Sequence, residues 1–154
     1  MPPWNAGRRL SAAAAYDVSA TPREAWALVC HRRLSVFLVG PEATTRAFLD
    51  ALRDHFHEPV AVVDARGPLV LPDAEHTGTL VLKDVAALRA DDQERLVEWL
   101  AHGAGRTQVI STSSTPLLPM IVAGTFAERL YYRLNTIYVD LTSVSPRNVT
   151  ATDV

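Results

Sequence analysis

The stretch Gly78-Thr79-Leu80-Val81-Leu82-Lys83-Asp84-Val85 constrains the fold most. An apolar run entered through Gly-Thr and left through two charged residues fits the middle of a parallel sheet, where helices cover both faces. In open α/β sheets, ligands sit outside the carboxyl ends of strands. Lys83 and Asp84 fall where this strand would emerge, which makes them candidate site residues.

The rest of the chain alternates around that run. Thr21-Pro22-Arg23-Glu24 combines a capping box with proline at the first helical position and predicts a short helix ending near His31. Ser35 to Val39 is a β-branched and aromatic strand closed by Gly40-Pro41. Phe48, Leu49, Leu52 and Phe56 recur at helical spacing and predict a helix from about Thr44 to Phe56. Val60 to Val63 reads as a second buried strand, and Asp64 to Thr77 as a loop with an extended piece at Leu69 to Leu71. Asp91 with Glu94 predicts an acidic helix start, and Gly103 a stop. Thr107 to Thr112 is a fourth strand, with a polar exit loop from Ser113 to Pro116. Leu117 to Val122 predicts a short helix. Phe126, Leu130, Tyr131 and Leu134 predict another, and Thr136 to Val139 a fifth strand.

Strands separated by helices imply an α/β fold: a three-layer α/β/α sandwich with a five-stranded, mainly parallel sheet. The expected organisation is a flexible, Ala-rich leader over residues 1–18, one α/β core over 19–141 and a polar tail over 142–154. A hydrophobic content of 48% is enough for one domain with a real core.

Charge and cysteine usage exclude several function classes. A net charge of -2 gives no basic footprint, so no direct DNA binding is expected. No window has the uninterrupted apolar length of a membrane span. Cys30 is the sole cysteine, which suits a core thiol in a cytoplasmic protein. His55 and His57, two residues apart, share no helix face, and no metal site is assigned. Ser111 to Thr115 lacks a Gly-x-Ser-x-Gly elbow, so the run reads as an exit loop rather than a nucleophile. A phospho-receiver domain would need an acidic pair after the first strand, where this chain has Gly40-Pro41.

Gly40-Pro41-Glu42-Ala43-Thr44-Thr45-Arg46-Ala47 follows a strand and leads into a helix, with Gly40 and Arg46 at the spacing of the first glycine and the lysine of a P-loop. Gly78 to Val85 resembles the Walker B segment GTLFLDEI of the sigma-54 activator AAA+ ATPases. Gly124-Thr125-Phe126-Ala127-Glu128-Arg129-Leu130-Tyr131-Tyr132-Arg133-Leu134-Asn135 resembles that family's GRFREDLYYRLN, the helix carrying arginine fingers. Pro59 to Asp64 is similar to its PFVAVNC strand. The resemblance runs from about Thr21 to Leu141 and implies a P-loop AAA+ core.

The departures matter as much as the matches. Ala43 and Thr45 stand where the family has glycines, and β-branched Thr45 is poorly suited to φ > 0. Arg46 replaces the phosphate-binding lysine and Lys83 the metal-ordering aspartate. Asp84 stands for the water-activating glutamate, Ser114 for the sensor asparagine and Ala127 for the first arginine finger. Arg133 keeps the second arginine. No GAFTGA motif occurs between Arg46 and Lys83, and the lid and helix-turn-helix that follow this core in the family are not found after Leu141.

The resemblance therefore implies a degenerate nucleotide site at Gly40, Thr44, Thr45, Arg46, Ala47, Lys83, Asp84 and Ser114, with no catalytic residue assigned. The expected role is a non-hydrolysing regulatory or protein-interaction module. The alternative is a weak or switch-like binder that takes ATP or ADP without Mg²⁺. Glu128, Tyr132 and Arg133 exceed what core packing requires and are the expected interface, toward a second copy or an AAA+ protein.

Overall fold

The structure, a computed structural model, describes residues 22–103 and 105–149. The capping Thr21 and the leader lie outside the described residues.

Five strands form one sheet: β1 (Val36–Val39), β2 (Val60–Asp64), β3 (Thr79–Lys83), β4 (Gln108–Ser113) and β5 (Ile137–Asp140). Their order is β2-β3-β4-β1-β5, and every neighbouring pair is parallel. Parallel neighbours need crossovers; helices lie in the connections between the strands except from β2 to β3, which a loop over residues 65–78 joins. Side-chain alternation then sorts the strand residues onto two faces. Val36, Leu38, Val81 and Ile110 pack with Trp26 and Val29 of α1 (Pro22–His31) and with Phe48, Leu49 and Leu52 of α2 (Glu42–Leu52). Phe37, Val39, Leu80, Leu82 and Val109 face Leu96 and Leu100 of α3 (Ala90–His102). Leu130 and Leu134 of α5 (Glu128–Leu134) complete that layer, and the short α4 (Leu118–Val122) sits before them.

The sheet holds β3 as expected: Thr79 to Leu82 are buried and Lys83 emerges. Strand β2 differs from the buried strand read in the sequence. It lies at the sheet edge and is only partly covered, with Val62 58% exposed. An apolar run fits a central or an edge position equally well, and strand order decides between them.

Other boundaries also shift. Helix α2 starts at Glu42 rather than Thr44, and its regular part ends at Leu52, followed by a 3-10 turn at Arg53–His55. Helix α3 starts at Ala90 without the side-chain cap expected from Asp91; Asp91 and Asp92 lie in its first turn, where they favour the positive helix end. Leu69 to Leu71 forms no strand. Leu69 is buried, and its carbonyl accepts from Arg95 Nη2 at 3.2 Å. Phe126 is buried just ahead of α5 instead of within it.

The polar tail, whose sequence has no apolar periodicity, folds back along α2 as far as residue 149. Val144 and Val149 pack on the α1–α2 layer, Thr44 Oγ1 donates to the Val144 carbonyl at 3.1 Å, and Pro146–Asn148 forms a 3-10 turn. Sparse apolar residues suffice here because each meets an existing surface.

One buried polar residue fixes α3 against the segment entering α5. Gln93, 3% exposed, donates to the carbonyls of Leu88 (3.1 Å) and Thr125 (3.0 Å) and accepts from Ala127 N–H at 2.8 Å. Replacing it removes a partner from three backbone groups, the Leu88 carbonyl in a buried bond and the Thr125 carbonyl and Ala127 N–H in part-buried ones. Gln93→Ala is expected to lower unfolding stability by about 2–3 kcal/mol in urea titration, and a loss below about 0.5 kcal/mol would contradict this role.

Candidate functional site

The carboxyl ends of β1, β3 and β4 open into a recess of about 100 Å³. Gly40, Thr45, Arg46, Lys83, Asp84 and Ser114 all line it, so the sheet brings together residues separated by as many as 74 positions in the chain. Thr44 and Ala47 do not line it. Thr44 faces the returning tail instead, and Ala47 is partly buried on α2.

Gly40 has a packing reason of its own. A Cβ there would lie 2.9 Å from Leu141 Cβ and 3.0 Å from the Leu141 carbonyl carbon, so the residue leaving β5 needs a glycine beside it. Pro41 (φ -54°, ψ 144°) then turns the chain directly into α2. The N–H groups of Thr44 and Thr45 both donate to the Pro41 carbonyl at 3.0 Å. Thr45 Oγ1 donates to the Glu42 carbonyl at 3.1 Å. The segment from Glu42 to Arg46 is thus the first turn of a helix.

The two arginines of the recess, Arg46 and Arg66, face carboxylates. Arg46 Nη2 lies 3.2 Å from Glu42 Oε1, an exposed i,i+4 pair. Lys83 forms no ion pair among the described residues. Asp84 takes a left-handed conformation with φ 54°, and its N–H donates to Thr112 Oγ1 at 3.2 Å. A non-glycine residue in that region carries strain of roughly 1–3 kcal/mol, and such residues cluster at sites. Ser114 is exposed at the recess.

The sequence reading missed Glu42, Leu49, Thr112 and Ser113 among the recess residues, and with them the most highly connected one, Arg66. It follows β2, and its guanidinium reaches three carboxylates on three elements: Asp64 (Nη2 to Oδ2, 2.6 Å), Glu42 (3.6 Å) and Asp84 (4.0 Å). Its Nε also lies 3.0 Å from Asp64 Oδ1, and its backbone N–H donates to the same oxygen at 3.0 Å. The local signal was Asp64-Ala65-Arg66-Gly67 at a strand exit, an Asx-type turn. The approach to Glu42 and Asp84 is set by strand order and could not be read locally.

The expected interface residues Glu128, Tyr132 and Arg133 are exposed on α5. Tyr132 OH lies 3.4 Å from Glu128 Oε1, and its ring meets the buried Tyr131 edge to face at 5.7 Å. Tyr132 and Arg133 lie at the amino-terminal ends of β1, β4 and β5, the opposite end of the sheet from the Lys83 recess.

A parallel sheet in the order β2-β3-β4-β1-β5, with Gly40 after β1 and Lys83-Asp84 after β3, is the frame against which known proteins can be compared. A family model described as the sigma-54 interaction domain matches residues 19–144. The chain belongs to this family. Among solved structures, NtrX from Brucella abortus in complex with ADP aligns with a TM-score of 0.62 at 20% identity, over 78% of this chain and 35% of that one. The P-loop NTPase domain of the sigma-54 transport activator from E. coli gives 0.56 at 17% identity, over 80% of this chain and 93% of that one. A RuvB mutant from Thermotoga maritima gives 0.53 at 14% identity, over 76% and 42%. At such identities the likeness shows the fold, a P-loop AAA+ core. The chain spans about a third of the length of NtrX. Comparison with curated protein sequences gives no match. Among the described residues no helix is long and apolar enough to cross a membrane.

In this sigma-54 interaction domain, the hydrogen bond from the Arg66 side chain holds the Asp64 carboxyl at about 2, with the Arg66 backbone N–H adding to the effect. A depressed carboxyl contributes stability above its ordinary value of 3.8 and loses it as pH falls through about 2. The pair is exposed, so that contribution is small. In Arg66→Ala, NMR titration should move the Asp64 midpoint from about 2 toward 3.8; an unmoved midpoint would show that Arg66 does not hold the carboxylate in solution.

Proposed function

We propose that this sigma-54 interaction domain is a non-hydrolysing regulatory or protein-interaction module whose nucleotide site is degenerate. The observation carrying this reading is the start of α2 at Glu42, immediately after Gly40-Pro41. A phosphate cradle needs backbone N–H groups turned toward the ligand. Here those of Thr44 and Thr45 are committed to Pro41.

Charge placement supports the same conclusion. A magnesium-bound nucleotide needs carboxylate near the metal, and Lys83 puts an ammonium at the aligned position. The carboxylates of Glu42, Asp64 and Asp84 surround Arg66 instead. Ala47, aligned with the P-loop hydroxyl, offers a methyl group. These residues do not fit a magnesium nucleotide, and no catalytic step is assigned to them. One observation favours a second reading, metal-free binding of ATP or ADP: Lys83 borders the recess without an ion pair among the described residues.

The purified protein is expected to show no ATP turnover above background. Turnover that disappears in Asp84→Ala would overturn the reading.

The interaction surface of this proposal is the α5 edge. Exposed Tyr and Arg are the residue types enriched at interface hot spots, and Arg133 has no ion pair among the described residues that would account for it. The partner is a second copy or another AAA+ protein. Light scattering should show association that Tyr132→Ala/Arg133→Ala weakens by at least about tenfold. A folded double mutant that associates as well as the wild type would leave this surface without a role.

A further inference from the structure

A second recess, of about 200 Å³, opens at the amino-terminal end of the sheet. Two guanidiniums border it: Arg33, from the turn between α1 and β1, and Arg133, from the last turn of α5. Among the described residues no Asp or Glu lines it, and neither arginine forms an ion pair. Two like charges facing one recess raise each other's energy, and a bound anion would relieve both.

The backbone at Arg33 is a separate observation. Its φ is 54°, in the left-handed region, and its N–H donates to the Cys30 carbonyl at 3.0 Å where α1 ends. Glycine is the usual residue at such a helix stop, because a Cβ is unfavourable there. A long cation is therefore held at this position against the local backbone preference.

The remaining lining suits an organic anion. Ser35 and Thr136 place hydroxyls that make no side-chain hydrogen bond among the described residues. Trp99, Leu100 and Val109 give an apolar wall, with Trp99 Nε1 fixed to the Pro72 carbonyl at 2.7 Å. The volume is below the roughly 300–1,000 Å³ of pockets for drug-sized ligands, which suits a small anion. We infer that this recess binds a small organic oxyanion of the phosphate-monoester class. The anionic group lies between Arg33 and Arg133, and its carbon body rests on Trp99, Leu100 and Val109. This site is at the opposite end of the strands from Gly40, Lys83 and Ser114, and it shares Arg133 with the α5 edge proposed above as the interaction surface.

Calorimetric titration of the full chain with phenyl phosphate and with inorganic phosphate, at fixed ionic strength, tests the assignment. Phenyl phosphate should saturate one site and bind more tightly than inorganic phosphate. Arg33→Gly and Arg133→Gln should each weaken it by about tenfold or more, as loss of a charge-assisted contact does. Arg33→Gly should keep or raise Tm, since glycine tolerates the left-handed turn, so its weakening cannot be ascribed to unfolding. Because Arg33 lies outside α5, this variant also separates anion binding from association through Tyr132 and Arg133. No binding by the wild type, or equal binding by Arg33→Gly, would overturn the assignment. Loss in Lys83→Gln with retention in Arg33→Gly would place the anion in the other recess and overturn it as well. Equal affinity for the two phosphates would likewise overturn the assignment to an organic anion.

Discussion

Thr44 and Thr45 donate their backbone N–H groups to one acceptor, the Pro41 carbonyl, at 3.0 Å each, and the carboxyl end of the sheet is arranged around that closure. A phosphate loop keeps these donors free by passing through conformations that glycine tolerates and β-branched residues do not. With Ala43 and Thr45 in those places, the shortest route from β1 is directly into a helix. Helix formation then fixes the side chains. Thr45 bonds back to the Glu42 carbonyl, Arg46 lies one turn above the Glu42 carboxylate, and Thr44 turns to the returning tail.

Electrostatics follows from the same geometry. Once α2 begins at Glu42, a carboxylate stands beside the exits of β2 and β3, and Arg66 gathers it together with Asp64 and Asp84. Each of these pairs is exposed and individually weak. Their joint effect is positional: a guanidinium occupies the centre of three carboxylates that could otherwise face a cation. Gly40 remains necessary for a different reason, the close approach of Leu141. A glycine at a P-loop position can thus be kept by packing alone.

Much of the fold was legible because its signals are local. The apolar run ending in Lys83-Asp84, the strand closed by Gly40-Pro41 and the helical spacing of Leu130, Tyr131 and Leu134 each declare themselves within a few residues. What escaped depends on partners distant in sequence. Val60 to Val63 reads as buried, and only the strand order shows that it forms an edge. Gln93 looks like one more polar residue on a solvated helix until Leu88, Thr125 and Ala127 are placed around it. The tail after Leu141 has too little periodicity to predict a packed path, yet Val144 and Val149 find one along α2. The site was half legible. Lys83 and Asp84 were marked by the strand exit and Arg46 by P-loop spacing, and Ser114 came only with the family resemblance; all four line the recess, whereas Arg66 enters it through a turn whose reach is set by the sheet.

A degenerate nucleotide site, as proposed, implies that the recess beside Lys83 does not use a divalent cation to hold phosphates. Calorimetric titration of ATP and ADP into the wild type, with and without Mg²⁺, tests this most directly. The expected result is either no binding or a weak affinity that Mg²⁺ leaves unchanged and that Lys83→Asp weakens when no metal is present, because a carboxylate would repel the phosphates. A strong gain in wild-type affinity on adding Mg²⁺ would contradict it.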